Sequence, residues 1–111
     1  MKKIYKIVRG ALKEGVEAVH PGLRSCDLDR FLRDKIRAHG YEPYPHHSGH
    51  GMGVSFHEEP RLVPYNEFPL APGMVVAIEP GIYLPGVGGV RLEDVVLVTE
   101  DGCQVLTTHL L

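Results

Sequence analysis

Residues 74–84 read Met-Val-Val-Ala-Ile-Glu-Pro-Gly-Ile-Tyr-Leu, and the order of residue types in them decides the fold. Met74 to Ile78 is apolar without interruption and too short for a globular helix, so it reads as a strand buried on both faces. Pro80-Gly81 turns the chain, and Gly81 to Leu84 resumes as a short extended piece. Downstream, Val90 to Thr99 is rich in β-branched residues and is read as one strand. Glu100-Asp101-Gly102 then supplies turn chemistry, so Val90–Thr99 and Cys103–Thr107 are expected to form an antiparallel hairpin. Upstream the pattern changes: the prolines, histidines and glycines between Pro43 and Gly53 preclude a regular helix. Before Gly40 it changes again, because Ile4, Ile7, Val8, Ala11, Leu12, Val16 and Val19 recur at three- and four-residue spacing. That stripe predicts an amphipathic helix from Lys2 to about Val19, stopped by Pro21-Gly22. Ser25 offers an N-cap oxygen to a second helix, marked by Leu28, Phe31, Leu32 and Ile36 and ending at Gly40. The fold class is therefore α+β, with two helices laid on one face of a mainly antiparallel sheet. One domain over residues 1–111 is expected, with helices over about 2–40 and loops and strands over about 44–108.

Composition narrows the function classes. The chain is 43% hydrophobic with those residues spread along its length, which argues for a packed interior and against disorder. A net charge of -2 gives no basic field, so neither nucleic acid nor an anionic membrane is an expected partner. No apolar run is long enough to span a bilayer, and no signal-peptide core follows the Lys2-Lys3 start. Cys26 and Cys103 lie far apart and in no metal-type spacing, so free thiols and a cytoplasmic setting are expected.

Chemistry concentrates between residues 46 and 93. His46, His47, His50 and His57 crowd a glycine-rich stretch in which Gly49, Gly51 and Gly53 would let a backbone or a substrate approach closely. Glu79 ends the buried apolar run, where an ionised carboxylate needs a partner unless it simply emerges into solvent at the Pro80-Gly81 turn. Two-residue alternation places Glu93 on one strand face with Arg91, Val95 and Leu97. An Arg91–Glu93 ion pair on a solvated face would account for that charge, and so would a ligand role. One imidazole and two carboxylates, from His50, Glu79 and Glu93, form a plausible nitrogen and oxygen set for Mn, Co, Fe or Zn.

Four blocks occur in a fixed order. Gly49-His50-Gly51-Met52-Gly53 is followed by Phe56-His57-Glu58-Glu59-Pro60, then Pro72-Gly73-Met74 leading to Ile78-Glu79-Pro80-Gly81-Ile82-Tyr83, then Gly89-Val90-Arg91-Leu92-Glu93-Asp94. Together they resemble the C-terminal half of the pita-bread dinuclear metallopeptidases, a family that includes methionine aminopeptidases, aminopeptidases P, prolidases and creatinase-like enzymes. His46, Ile82-Tyr83 and the Arg91 block resemble the Xaa-Pro-cleaving branch, the Xaa-Pro dipeptidases (prolidases) and aminopeptidases P. The resemblance implies two divalent ions in the complete enzyme, Mn or Co first and Zn or Fe next. It makes His50 and Glu79 ligands of one ion, Glu93 a bridging carboxylate and Glu79 also the proton shuttle. A metal-bridging hydroxide would attack the peptide bond before proline, with His57 binding substrate and stabilising the tetrahedral intermediate. His46 would lie near the proline side of the substrate, and Arg91 would bind at the site and fix a ligand carboxylate.

The same resemblance calls for two further aspartate ligands upstream of both helices. Asp27, Asp29, Asp34, Asp94 and Asp101 are not placed to supply them. The chain is therefore expected to hold at most one ion weakly, to be inactive alone, and to need a missing N-terminal half or sister subunit, while an uncovered sheet edge and face favour a homo-oligomer. A non-catalytic peptide-binding module of the same fold and a methionine aminopeptidase fragment are the alternatives.

Overall fold

The computed structural model describes residues 2–52 and 60–107. Helix α1 spans Lys2–Ala18 and α2 spans Ser25–Ala38, followed by β1 (Gly49–Gly51), β2 (Arg61–Leu62), β3 (Val75–Ile78), β4 (Gly81–Leu84), β5 (Gly88–Arg91), β6 (Asp94–Thr99) and β7 (Gly102–Val105). Five strands form one sheet in the order β2-β1-β3-β6-β7, and β4 and β5 form a separate two-stranded ribbon. Every pairing is antiparallel. The expected arrangement of two helices and a mainly antiparallel sheet is observed.

Alternation along the strands decides which face the helices cover. Val76 and Ile78 of β3 and Val96 and Val98 of β6 pack with Leu12 and Val19 of the α1 region and Leu28 and Leu32 of α2. A second cluster joins Ile4, Ile7, Val8 and Ala11 of α1 to Ile36, Tyr44 and Ile82, tying the β4–β5 ribbon to the helices. The helical stripes foreseen in the sequence are thus the buried ones, and burial rather than intrinsic propensity holds helices of this length. The intervening residues Val75, Ala77, Val95 and Leu97 face the other way, with Val75, Val95 and Leu97 only half-buried.

Two readings need correction. Ser25 is not an N-cap: it is the first residue of α2, and Arg24 occupies the cap position with no side-chain bond to the helix amides. The first amides of α2 are satisfied from afar, Ser25 N–H donating to the Phe68 carbonyl at 2.9 Å and Cys26 N–H to that of Asn66 at 2.7 Å. The Ser25 hydroxyl also donates to Phe68, at 2.7 Å. The second correction concerns Val90–Thr99, which is two strands and not one. The chain leaves β5 at Arg91, whose partner is Gly81, and enters β6 at Asp94, whose partner is Ile78. A run of β-branched residues has no local mark for a change of partner.

The predicted hairpin is present, with Thr99 opposite Gly102 across a tight turn. Cys26 and Cys103 are free thiols. No helix among the described residues is long and apolar enough to cross a membrane.

Candidate metal centre

The β4–β5 ribbon is an excursion between two neighbouring strands, and this topology builds the site. β3 and β6 pair with Ile78 opposite Asp94, so continuing the register by one residue sets Glu79 against Glu93 where the ribbon leaves and rejoins the sheet. On the other side of β3, His50 pairs with Ala77, two residues before Glu79 and hence on the same face. Glu79 is held at this point by its own backbone, its N–H donating to the Ser48 carbonyl at 2.7 Å. One nitrogen of His50 and one carboxylate oxygen each of Glu79 and Glu93 all lie within 4.8 Å of one another. His50 and Glu79 are half-buried and Glu93 is exposed.

The close approach of β1 to β3 depends on Gly49. A β-carbon there would lie 1.9 Å from the Ala77 carbonyl oxygen, so no larger residue fits without parting the strands. The glycine beside His50 thus serves backbone contact inside the sheet. The His50 ring is oriented by a hydrogen bond from Nδ1–H to the Gly51 carbonyl at 3.1 Å. That bond puts the proton of the neutral ring on Nδ1 and leaves the Nε2 lone pair available, the tautomer a metal-binding imidazole requires. An imidazole with a backbone-fixed tautomer and two carboxylates suits a first-row divalent ion.

Around this triad the structure arranges the other residues named from sequence. His46 Nδ1–H donates to the His47 carbonyl at 2.7 Å, leaving Nε2 to accept from the Tyr83 hydroxyl at 2.7 Å. Its ring stacks on Tyr44 at 4.7 Å between centroids. Tyr83 in turn lies over Gly89, where a β-carbon would come within 2.5 Å of the tyrosine ring. Burial raises the Tyr83 phenol above its ordinary pKa, Arg91 opposes the rise and Glu79 adds to it, which places Tyr83 in electrostatic reach of both. Arg91 is exposed at the end of β5. Among the described residues it forms no ion pair with Glu93, so the pairing that offered an account of both charges is not seen. His57 and Gly53 lie outside the described residues.

Sequence reasoning passed over the partners of the His46–Ser48 segment. Asp29 of α2 is only 1% exposed and accepts the Ser48 hydroxyl at 2.6 Å. It also pairs with Arg33 at 2.9 Å. The only local signal is an Asp and an Arg four residues apart on a helix, a spacing shared by many exposed ion pairs. A groove lined by Tyr5, Arg9, Leu12, Leu92 and Val105 lies between α1 and the β6–β7 edge and contains none of the triad.

Comparisons with known proteins bear on the family and the fold. A model of metallopeptidase family M24 matches residues 1–100. The chain is 50% identical over 107 residues to an Xaa-Pro dipeptidase of Pyrococcus furiosus, covering 96% of this chain and 31% of that protein. It superposes on the crystal structure of the prolidase from Pyrococcus horikoshii with a TM-score of 0.91 and 46% identity, over 96% of this chain and 31% of that one. A methionine aminopeptidase from Rickettsia prowazekii shares the fold, with a TM-score of 0.79 at 24% identity over 94% of this chain and 51% of that one. The chain thus spans about a third of the length of the Xaa-Pro dipeptidase relatives it matches, and its two helices and sheet are those of the pita-bread fold.

Proposed function

The chain belongs to metallopeptidase family M24, and from that premise we propose that it carries the metal-binding part of a peptidase that cleaves the bond before proline. The observation that carries the proposal is the convergence of His50, Glu79 and Glu93 within 4.8 Å from three separate stretches of sequence. In this reading His50 Nε2 and one oxygen each of Glu79 and Glu93 hold divalent metal, which when bound acidifies water and polarises the scissile carbonyl. Glu79, half-buried in the cluster with its backbone N–H held by the Ser48 carbonyl, takes the proton released from water and delivers it to the departing proline nitrogen. His46, locked to Tyr83, forms a wall on the proline side of the substrate. Arg91, an exposed cation near Tyr83, holds a carboxylate at the site. His57 donates to the developing oxyanion.

Among the described residues, three protein ligands would leave one ion partly open and a second without a seat. Two aspartates from another segment are therefore assigned to complete a dinuclear centre, the ions being Mn or Co. The half-buried face of Val75, Val95 and Leu97 beside the triad is where that segment packs. The Xaa-Pro branch is preferred over a methionine aminopeptidase because Xaa-Pro dipeptidases and an X-Pro aminopeptidase are 38% to 50% identical to this chain and the methionine aminopeptidase is 24% identical. A binding module without catalysis would have no need to bring all three donor side chains together.

The test is a peptidase assay with Mn or Co on Xaa-Pro dipeptides and on Met-initiated peptides, using the chain alone and mixed with an M24 segment that bears two aspartates. Turnover of Xaa-Pro dipeptides by the mixture, with none by the chain alone, is expected. Robust turnover by the chain alone contradicts the divided centre, and preference for Met-initiated peptides contradicts the branch.

A further inference from the structure

A buried ion pair outside the triad has no part in the chemistry described above. Asp29 and Arg33 stand one turn apart on α2, with the Arg33 Nε donating to both Asp29 oxygens, at 2.9 and 3.0 Å. Among the described residues, the rest of the guanidinium pairs with no carboxylate. Its two terminal nitrogens donate to backbone carbonyls of the segment before β1, Nη1 to Tyr44 at 2.7 Å and Nη2 to His46 at 2.9 Å. The guanidinium carbon lies 4.5 Å from the Tyr44 ring centroid. Asp29 reaches the same segment by a second route, through the Ser48 hydroxyl, and that hydroxyl also bonds to the Tyr44 phenol.

Residues 44–48 contain Pro45 and belong to no helix or strand, so nothing regular fixes their path. What they position is the site. His46 meets Tyr83, and the Ser48 carbonyl receives the Glu79 N–H while the Ser48 N–H donates to Leu62. Ser48 also directly precedes the strand that carries His50. A planar fork with donors in fixed directions can set two carbonyls and a carboxylate at once, which a lysine cannot. Burying an ion pair gains little or no stability over an apolar pair of the same volume, so the retained benefit is one of position.

We propose that Asp29 and Arg33 are positioning residues that set the 44–48 segment, and through it the His46–Tyr83 bond and the backbone seat of Glu79. The consequence for metal affinity rests on the metal-centre reading; the consequence for His46 does not. The experiment compares wild type, Arg33→Lys and Asp29→Asn by three measurements: nitrogen-15 and proton NMR of the His46 ring, exchange of the Arg33 Nε–H in the wild type, and Mn2+ titration. In the wild type the Arg33 Nε–H is expected to be protected, and His46 Nδ1 to carry the proton. In folded Arg33→Lys the His46 ring is expected to move to solvent-like shifts and Mn2+ affinity to fall by about 10- to 100-fold, as for lost support of a ligand. Asp29→Asn, which keeps the shape and one acceptor oxygen but loses the charge and the second acceptor, is expected to fall between.

A freely exchanging Arg33 Nε–H in the wild type overturns the proposal whether or not the variants fold. So does an unchanged His46 ring in a folded variant. Absence of Mn2+ binding in the wild type with the His46 changes intact rejects the metal centre and leaves the positioning role standing.

Discussion

Tyr44 is a buried phenol, 2% exposed, whose hydroxyl bonds to Ser48. Burial pushes its pKa from 10.0 up to about 12, only partly offset by the bond to Ser48 and the nearby Arg33 charge. The phenol ionises less readily in the folded chain than in the unfolded one. Stability from this group is therefore complete below pH 10 and is lost as the pH rises through the folded value at about 12. Urea titrations across that window should show a loss of about 2–3 kcal/mol, and Tyr44→Phe should remove most of that slope. At the same scale the sequence was least legible for charges. Alternation within one long strand placed Glu93 on a face with Arg91, Val95 and Leu97, yet it sits in a two-residue link between β5 and β6 and is exposed. Asp29, read from sequence only as an aspartate not placed to be a ligand, is buried, since what covers it is a loop that returns nineteen positions later at Ser48.

Among the elements, β1 is the most constrained, because it is three residues long and lies between β2 and β3. Gly49→Ala should force β1 from β3 and cost about 2–3 kcal/mol by the measure of overpacked cores. Thermal denaturation would register the loss, and amide exchange should be fastest at His50 and Ala77, the pair next to the clash. Leu32, fully buried between the helices and the sheet, should cost about 2–5 kcal/mol on replacement by alanine, read from the denaturation midpoint. The helices and the β6–β7 hairpin were legible in sequence because periodicity and turn chemistry are local signals. The start of α2 was not, as its amides are satisfied by residues 66–68, and the β5–β6 break depends on which strand each half meets.

For the molecule as a whole, the helices cover one sheet face, and the triad lies on the other at the root of the β4–β5 ribbon. Family blocks named the three donors, while their convergence follows from strand register and needed coordinates. The proposed function stands on His50, Glu79 and Glu93 acting together as a metal-binding set. Calorimetric titration of the chain with Mn2+ or Co2+, repeated on His50→Ala and Glu93→Ala, tests it most directly. One weak site is expected in the wild type, with a loss of affinity of at least about tenfold in each variant; affinity equal to wild type in both folded variants would sink the metal-binding reading.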